Sequence, residues 1–470
     1  MNPIDIQTAK SQSWDVIVAG SSFAAMFFIH GLPKNLRVLV LEKGQMQTHA
    51  DQLEIGGGDY DSFVQNSPEN VQKRWIASTR FGGNSNCWWG QVPRFHPSDF
   101  TLFERHGRAA PWPVDYDLLE PFYGEVEAIM EVAGNSDASP MPRSAPFPFP
   151  PHQVTRADVL SLQYPQGEWV ETAVARSNGG SRATCCANGV CNLCPIDAKY
   201  SILNGMEYLA RDTVSYVLGA EVWQVDITNG EATGVLIRSA DGSETTINAP
   251  LIALGTNAIY NPAILLRSGV QNPALGKYLH EQNSRYVKFD IDVPNFFGAT
   301  SITSHCYAFY DGEHRSDHGA VLVESFNSPN SLRTDKDKWT HRLSLKLLAE
   351  EEPLAENTVT LQDDGTPLIT WNGHSEYSIK ALDDVENRIQ DVVPFKLERK
   401  VEAVNADTEA HIQGTHRMGV DPKTSVVDRT SKCHDVPNLL ALGAGVFPTC
   451  SPANPTLTLS ALALYAGRNI

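Results

Sequence analysis

Four cysteines fall between residues 185 and 194, in the stretch "CCANGVCNLCP": Cys185, Cys186, Cys191 and Cys194. Thiols so placed can close disulfides, hold zinc or ligate an iron–sulfur cluster. The other four, Cys87, Cys306, Cys433 and Cys450, stand alone, which is not the framework of a disulfide-stapled secreted domain. Zinc held by four sulfurs usually takes two separated C-x-x-C knuckles, and only Cys191-x-x-Cys194 is present. That pair precedes Pro195, a pattern similar to ferredoxin-type ligation. The spacing points first to an iron–sulfur centre, with zinc and metal-free thiols as alternatives. Cys191 and Cys194 are the firmer ligands. Adjacent side chains diverge, so the choice between Cys185 and Cys186 stays open.

A second set of reactive residues lies near the carboxy terminus. "HIQGTHRMG" contains His411 and His416. A neutral imidazole suits removal of an alcohol proton near pH 7. Further on, Asn454-Pro455-Thr456 opens a helical stretch. Asn454 suits an N-cap and Pro455 the first helical position. The positive end of that helix would face whatever sits before Asn454.

These groups need a scaffold. "SWDVIVAGSSFAAMFFIHGL" reads as a buried strand from Asp15 to Ala19, a turn at Gly20 and a helix from about Phe23. "RVLVLEKG" reads as a second strand ending on Glu42. This order is the dinucleotide fingerprint, with a helix end on pyrophosphate and an acid on a ribose hydroxyl. It is degraded here: Ser22 replaces the second glycine, and Ala25 takes the third position. "NLLALGAGVFPTC" supplies another strand, Leu439 to Leu442, and a glycine turn at Gly443 and Gly445. The run from Tyr216 to Pro250 alternates strand-like segments with Asn-Gly and Asp-Gly turns, predicting a small β-meander.

The bulk numbers bound the class. The 470 residues suggest two or three lobes. A formal net charge of −18 argues against a nucleic-acid partner. No apolar run approaches a membrane span, and the polar start "MNPIDIQTAKSQ" does not read as a signal peptide.

The order of these blocks, with the glycine-rich "FGGNSNCWWGQVPRF" and the segment "APLIALGTNAIYNPAILLRSG", resembles the glucose–methanol–choline family of flavoenzymes. The likeness is closest to its pyranose oxidase and sugar dehydrogenase branch. The cysteine loop is similar to that of bacterial FAD glucose dehydrogenase and glycoside 3-dehydrogenase catalytic subunits, which carry a three-iron cluster. The resemblance implies an α/β chain, α+β overall. A Rossmann-like FAD-binding lobe would come from residues 1–100, 183–285 and 405–470, with the cluster loop at 185–195. Residues 101–182 and 286–404 would form a mixed-sheet substrate lobe.

It also implies roles. His411 takes the position of the base and Asn454 that of its partner, with His416 ranked second. Gly20, Ser22, Ala25, Glu42, Gly82, Gly83, Asn86, Cys87, Gly445, Pro455 and Thr456 would contact FAD. A reduced flavin is negative around N1 and O2, and the end of the last helix would stabilise it. Cys87 stands where some pyranose oxidases carry a histidine linked to the flavin, so a histidyl bond there is excluded. A packed thiol is the simpler expectation, with a cysteinyl link as the alternative.

The implied activity is oxidation of a secondary or anomeric hydroxyl of a sugar or glycoside. Electrons would leave through the cluster to an external, cytochrome-type acceptor, with a possible small partner subunit. Competing expectations are an oxidase using O2 with a structural cluster, and a non-catalytic electron-transfer subunit. The compartment would be cytoplasmic, or periplasmic by export with a partner.

Overall fold

Unbroken apolar runs, rather than alternating ones, mark strands covered on both faces. Val16–Ala19 and Val38–Glu42 are buried at every position. The computed structural model describes residues 1–55, 65–206, 211–295, 300–327 and 339–470. Parts of both expected lobes, 56–64, 207–210, 296–299 and 328–338, therefore lie outside the described residues.

In chain order the strands are β1 (Asn2–Pro3), β2 (Val16–Ala19), β3 (Val38–Glu42), β4 (Gln65–Asn66), β5 (Trp169–Glu171), β6 (Val214–Leu218), β7 (Ala220–Thr228), β8 (Glu231–Ser239) and β9 (Glu244–Asn248). They continue with β10 (Ile252–Leu254), β11 (Asn283–Ile291), β12 (Ile302–Cys306), β13 (Val321–Phe326), β14 (Arg342–Ala349), β15 (Thr358–Leu361), β16 (Pro367–Thr370), β17 (Leu397–Asn405) and β18 (Leu439–Ala441).

The first sheet is parallel throughout, in the order β1-β6-β3-β2-β10-β18. Its register sets Val16 beside Val38 and Ile17 beside Ile252. The chain thus returns from three distant segments to complete one Rossmann-like sheet. The helix Phe23–Gly31 is apolar on nearly every face because it lies between this sheet and the helix Thr456–Arg468. Glycines allow the close approach. A Cβ on Gly31 would stand 2.6 Å from Leu464 O, and one on Gly467 2.3 Å from Phe28 O.

The second sheet is antiparallel, in the order β17-β11-β14-β13-β12-β5. Its own core includes Val287, Leu345 and Val323, closed by Leu382 and Val385 of the helix Glu376–Arg388. The expected meander is the sheet β7-β8-β9, turned at Asn229 and Gly230, both at positive φ. A further small sheet joins β15, β16 and β4. The helix Tyr116–Ile129 departs from expectation. It lies within 101–182, assigned to the second lobe, yet Tyr123 and Val126 pack into the first core, and Tyr123 bonds Thr458 of the last helix. Among the described residues no helix is long and apolar enough to cross a membrane.

Candidate active site

The turn after β2 is built for close approach. Gly20 has φ +88°, and a Cβ there would lie 2.9 Å from Gly255 O. Ala25 fills the space above Gly255, whose own Cβ would sit 2.9 Å from that of Ala25. The serine at the second fingerprint position is accommodated from across the site. Gly83, at φ +51°, lies where a Cβ would come within 2.8 Å of Ser22 Cβ. The side chain gained at 22 is matched by the side chain absent at 83. Ser22 makes no side-chain cap to the helix Phe23–Gly31, so the first N–H groups of that helix are left for a ligand.

Glu42 ends β3 with both oxygens engaged. Ser21 Oγ donates at 2.6 Å and the Gly44 amide at 2.7 Å. Gly82 N in turn donates to Ser21 Oγ at 2.9 Å. Burial pushes the Glu42 carboxyl above its usual range, against these bonds. A small cavity of about 90 Å³ follows, walled by Gly20, Ser22, Glu42, Gly83 and Tyr260. A larger one of about 340 Å³ shares Ser22, Gly83 and Gly255 with it, and runs past Cys87 to His411 and Asn454. The glycine-lined turn, the open helix end and the acid-bearing pocket fit the pyrophosphate and ribose of a dinucleotide.

His411, Asn454, Cys87, Pro455 and Thr456 therefore share one cavity, and Gly20 and Glu42 line its extension. Ala25, Gly82, Asn86 and Gly445, expected at the cofactor, line neither; they hold the walls. Asn86 Nδ2 donates to Phe81 O and Gly83 O, fixing the glycine turn. Gly445 makes room for His416: a Cβ there would lie 1.9 Å from His416 Cε1. His416 itself is fully buried beneath the turn, beside Asn261 and Leu442 O, and burial pushes its pKa down to about 4. It does not line the cavity.

Asn454 does not cap the last helix as expected. That helix begins at Thr456, with Pro455 in the cap position and no side-chain cap bond. Asn454 lines the cavity instead, and its Oδ1 is buried without a hydrogen-bond partner.

His411 is held by a residue with no signal in the sequence. Gln282 Nε2 donates to Ser451 O at 2.9 Å and Ala453 O at 3.0 Å. Carbonyls only accept, so this fixes the amide, and Gln282 Oε1 faces His411 Nδ1 at 3.0 Å. Nδ1 therefore carries the proton and Nε2 keeps its lone pair. Burial holds the ring below its usual pKa, against the upward pull of Glu409. Glu409 is paired with Lys346 and accepts from Ser284. Burial pushes the Glu409 carboxyl up, but Lys346 and His411 outweigh it and hold it below the usual range. Cys87 is buried at the cavity wall, and burial pushes its thiol up to about 11, which keeps it protonated at neutral pH.

The cysteine loop has a different character. None of the eight cysteines is in a disulfide. Cys191 and Cys194 are buried, Cys185 is half-buried and Cys186 exposed. Among the described residues no three His, Cys, Asp or Glu side chains are gathered closely enough to hold a metal ion. Two buried cations stand close by. Arg176 Nη1 donates to Cys191 Sγ at 2.7 Å, while its Nε and Nη2 have no hydrogen-bond partner. Lys199 Nζ donates to three backbone carbonyls, those of Asn86, Trp88 and Asn192. Neither Arg176 nor Lys199 has a carboxylate partner among the described residues, and burial lowers the Lys199 pKa to about 8.

A family model for the amino-terminal part of the GMC oxidoreductases matches residues 15–284, and one for their carboxy-terminal part matches 353–463. The fructose dehydrogenase large subunit of Gluconobacter japonicus is 23% identical over 97% of both chains. The paromamine 6'-oxidase of Streptomyces fradiae is 25% identical over 97% of this chain and 91% of its own. In three dimensions the chain is similar to pyridoxine 4-oxidase from Mesorbium loti, with a TM-score of 0.72 at 15% identity over 97% of this chain and 99% of the other. With its fingerprint turn, its cavity and both family models in agreement, the chain belongs to the GMC oxidoreductases, the glucose–methanol–choline flavoenzymes, and uses FAD.

Proposed function

We propose that this chain is a dehydrogenase that oxidises a secondary or anomeric hydroxyl of a sugar or glycoside. The observation that carries the reading is the fixed tautomer of His411, whose Nε2 lone pair shares a cavity with the unpartnered amide of Asn454. The residues lining the two cavities would hold FAD, which would supply the hydride acceptor. The chain does the rest. His411 Nε2 takes the hydroxyl proton, and Gln282 steadies the resulting imidazolium at Nδ1. Asn454 orients the same oxygen. The unpaired N–H groups at the start of the helix Thr456–Arg468 offer positive partial charge beside Asn454. The fructose dehydrogenase relative supports a sugar substrate, and its designation as a large subunit supports a small partner subunit and an external acceptor.

The finer part of the proposal concerns the cysteine loop. Cys191 and Cys194, with Cys185 or Cys186 as the third ligand, would hold an iron–sulfur cluster, three-iron rather than four-iron. Such a group supplies one-electron transfer to an acceptor outside the chain. The spacing and the unpartnered Nε and Nη2 of buried Arg176 support an anionic occupant. Because the sulfurs are not gathered, ligation requires the loop to draw one of the adjacent cysteines inward.

The test is anaerobic mixing with a panel of pyranoses and glycosides, following flavin bleaching, with FAD and iron measured on the same preparation. Expected are about one FAD per chain, iron in the protein, bleaching by a sugar, and turnover with a one-electron acceptor faster than with O2. A nicotinamide in place of FAD, or a flavin that no hydroxylated substrate bleaches, ends the reading. Iron-free protein that turns over with O2 alone favours a sugar oxidase.

A further inference from the structure

Beyond His411 and Asn454, two residues that line the same cavity each carry a buried polar atom that makes no hydrogen bond. One is an acceptor, Glu324 Oε1, on a residue 1% exposed; the other is a donor, Gln91 Nε2, on a residue 3% exposed. Neither is used by the chemistry proposed above. They are joined through the protein. Thr172 Oγ1 donates to Gln91 Oε1 at 2.6 Å, which turns the amide nitrogen away from the threonine. His305 Nε2 lies 3.2 Å from the same hydroxyl and 3.4 Å from Glu324 Oε1.

The strand register explains why these atoms share a wall. Glu324 of β13 stands opposite Lys346 of β14, which stands opposite Tyr286 of β11, so the three side chains leave one face of the sheet. Lys346 is committed to Glu409, leaving Glu324 without a lysine or arginine partner among the described residues. Beside them Phe326 packs against Trp89 at 5.5 Å and Tyr286 at 5.2 Å, an aromatic surface suited to the apolar face of a sugar ring.

A buried acceptor and a buried donor are costly unless a ligand answers both. A hydroxyl does so, donating to Glu324 and accepting from Gln91. An ammonium answers only Glu324. A carbonyl answers only Gln91 and sets its lone pairs against the carboxylate. We propose that Gln91 and Glu324 form a second hydroxyl subsite, which takes a substrate hydroxyl on a carbon other than the one oxidised. It restricts the enzyme to polyhydroxylated substrates, and it rests on the sugar reading above.

The test uses FAD-loaded enzyme and a sugar that bleaches its flavin, compared with monodeoxy and monoamino analogues in anaerobic stopped flow. One position away from the oxidised carbon is expected to cost the parent about 10- to 100-fold in reduction rate over Kd when its hydroxyl is removed, the scale of a hydrogen bond to a charged group. Glu324→Gln should lose a similar factor with the full sugar and show little further penalty for that one deoxy analogue. Gln91→Met should single out the same position, and carries the test alone if Glu324→Gln does not load FAD. Equal penalties in parent and variants at every position overturn the subsite while leaving the sugar reading intact. So does an amino analogue that outperforms the hydroxyl at the singled-out position. A parent flavin that no sugar bleaches removes the sugar reading and the subsite together.

Discussion

The surroundings of His411 and those of Cys191 are both buried and polar, but their charges are balanced differently. Around His411, Glu409 is paired with Lys346, and Gln282 holds the ring by a bond between neutral groups. Around Cys191, Arg176 and Lys199 are buried with carbonyls and a cysteine sulfur as their described hydrogen-bond acceptors, apart from a long contact to Ser301. In the first region the charge beside His411 is answered within the chain, by the Glu409–Lys346 pair. In the second, burial weakens the charge of Lys199, lowering its pKa to about 8, and Arg176 leaves Nε and Nη2 without a hydrogen bond. A buried charge without a partner is expensive, and the two regions answer theirs differently: Lys346 with a carboxylate, Arg176 and Lys199 with a cysteine sulfur and backbone carbonyls.

The strongest way to break the first region is His411→Ala. Flavin reduction is expected to fall about 10²- to 10⁴-fold with FAD retained, the scale of a general base. Asn454→Ala should cost less, since it orients the alcohol and takes no proton. Reduction at the parent rate without His411 would return the role to another group in the cavity.

In the second region, Cys194→Ser should remove bound iron while FAD stays near one per chain, because serine is a poor ligand for a soft iron centre. Steady-state transfer to a one-electron acceptor should fall with the iron. Metal analysis and absorbance near 400 nm read this directly. A variant that keeps its iron breaks the assignment of the loop.

Gln282→Met sharpens the comparison with a smaller effect. It removes the acceptor that sets the tautomer, about 1–3 kcal/mol of hydrogen bonding and desolvation, or about 10- to 100-fold in rate. Because it acts through His411, the loss should appear in the reduction rate rather than in sugar affinity. An equal loss in FAD content would make Gln282 a purely structural residue.

The smallest effect is a shift in pH dependence. Protonation removes the base, so flavin reduction should be level at high pH and fall as pH drops through the His411 pKa. Burial lowers that pKa from its usual 6.5, so the fall lies on the acid side of 6.5. Glu409 raises it, so Glu409→Gln should move the fall to still lower pH. A shift to higher pH would mean that another group controls the profile.

Much of this was legible in the chain. The strand, turn, helix, strand and acid of residues 15–42 read correctly because each is dictated locally: apolar runs, a glycine at positive φ, an acid at a strand end. The meander announced itself through its Asn-Gly turn. Asn454 read as a cap because its neighbours Pro455 and Thr456 suit a helix start, but the cap is a local preference and the cavity outweighed it. The helix Tyr116–Ile129 sits between stretches that lead into the second sheet, and only its packing on the last helix assigns it to the first core.

By itself, then, the sequence determined the nucleotide-binding motif, the reactive residue types and their order along the chain, since periodicity, turn chemistry and spacing act over a few residues. The tertiary structure decided which of them meet. Ser22 is tolerated because Gly83 lacks a side chain 61 positions away, Gln282 selects the tautomer of a histidine 129 residues on, and Thr172 and His305 link Gln91 to Glu324. Such contacts leave no trace in local composition. They arise when the register of two sheets brings separate strands to one cavity, and there a buried polar atom must find its partner in space rather than in sequence.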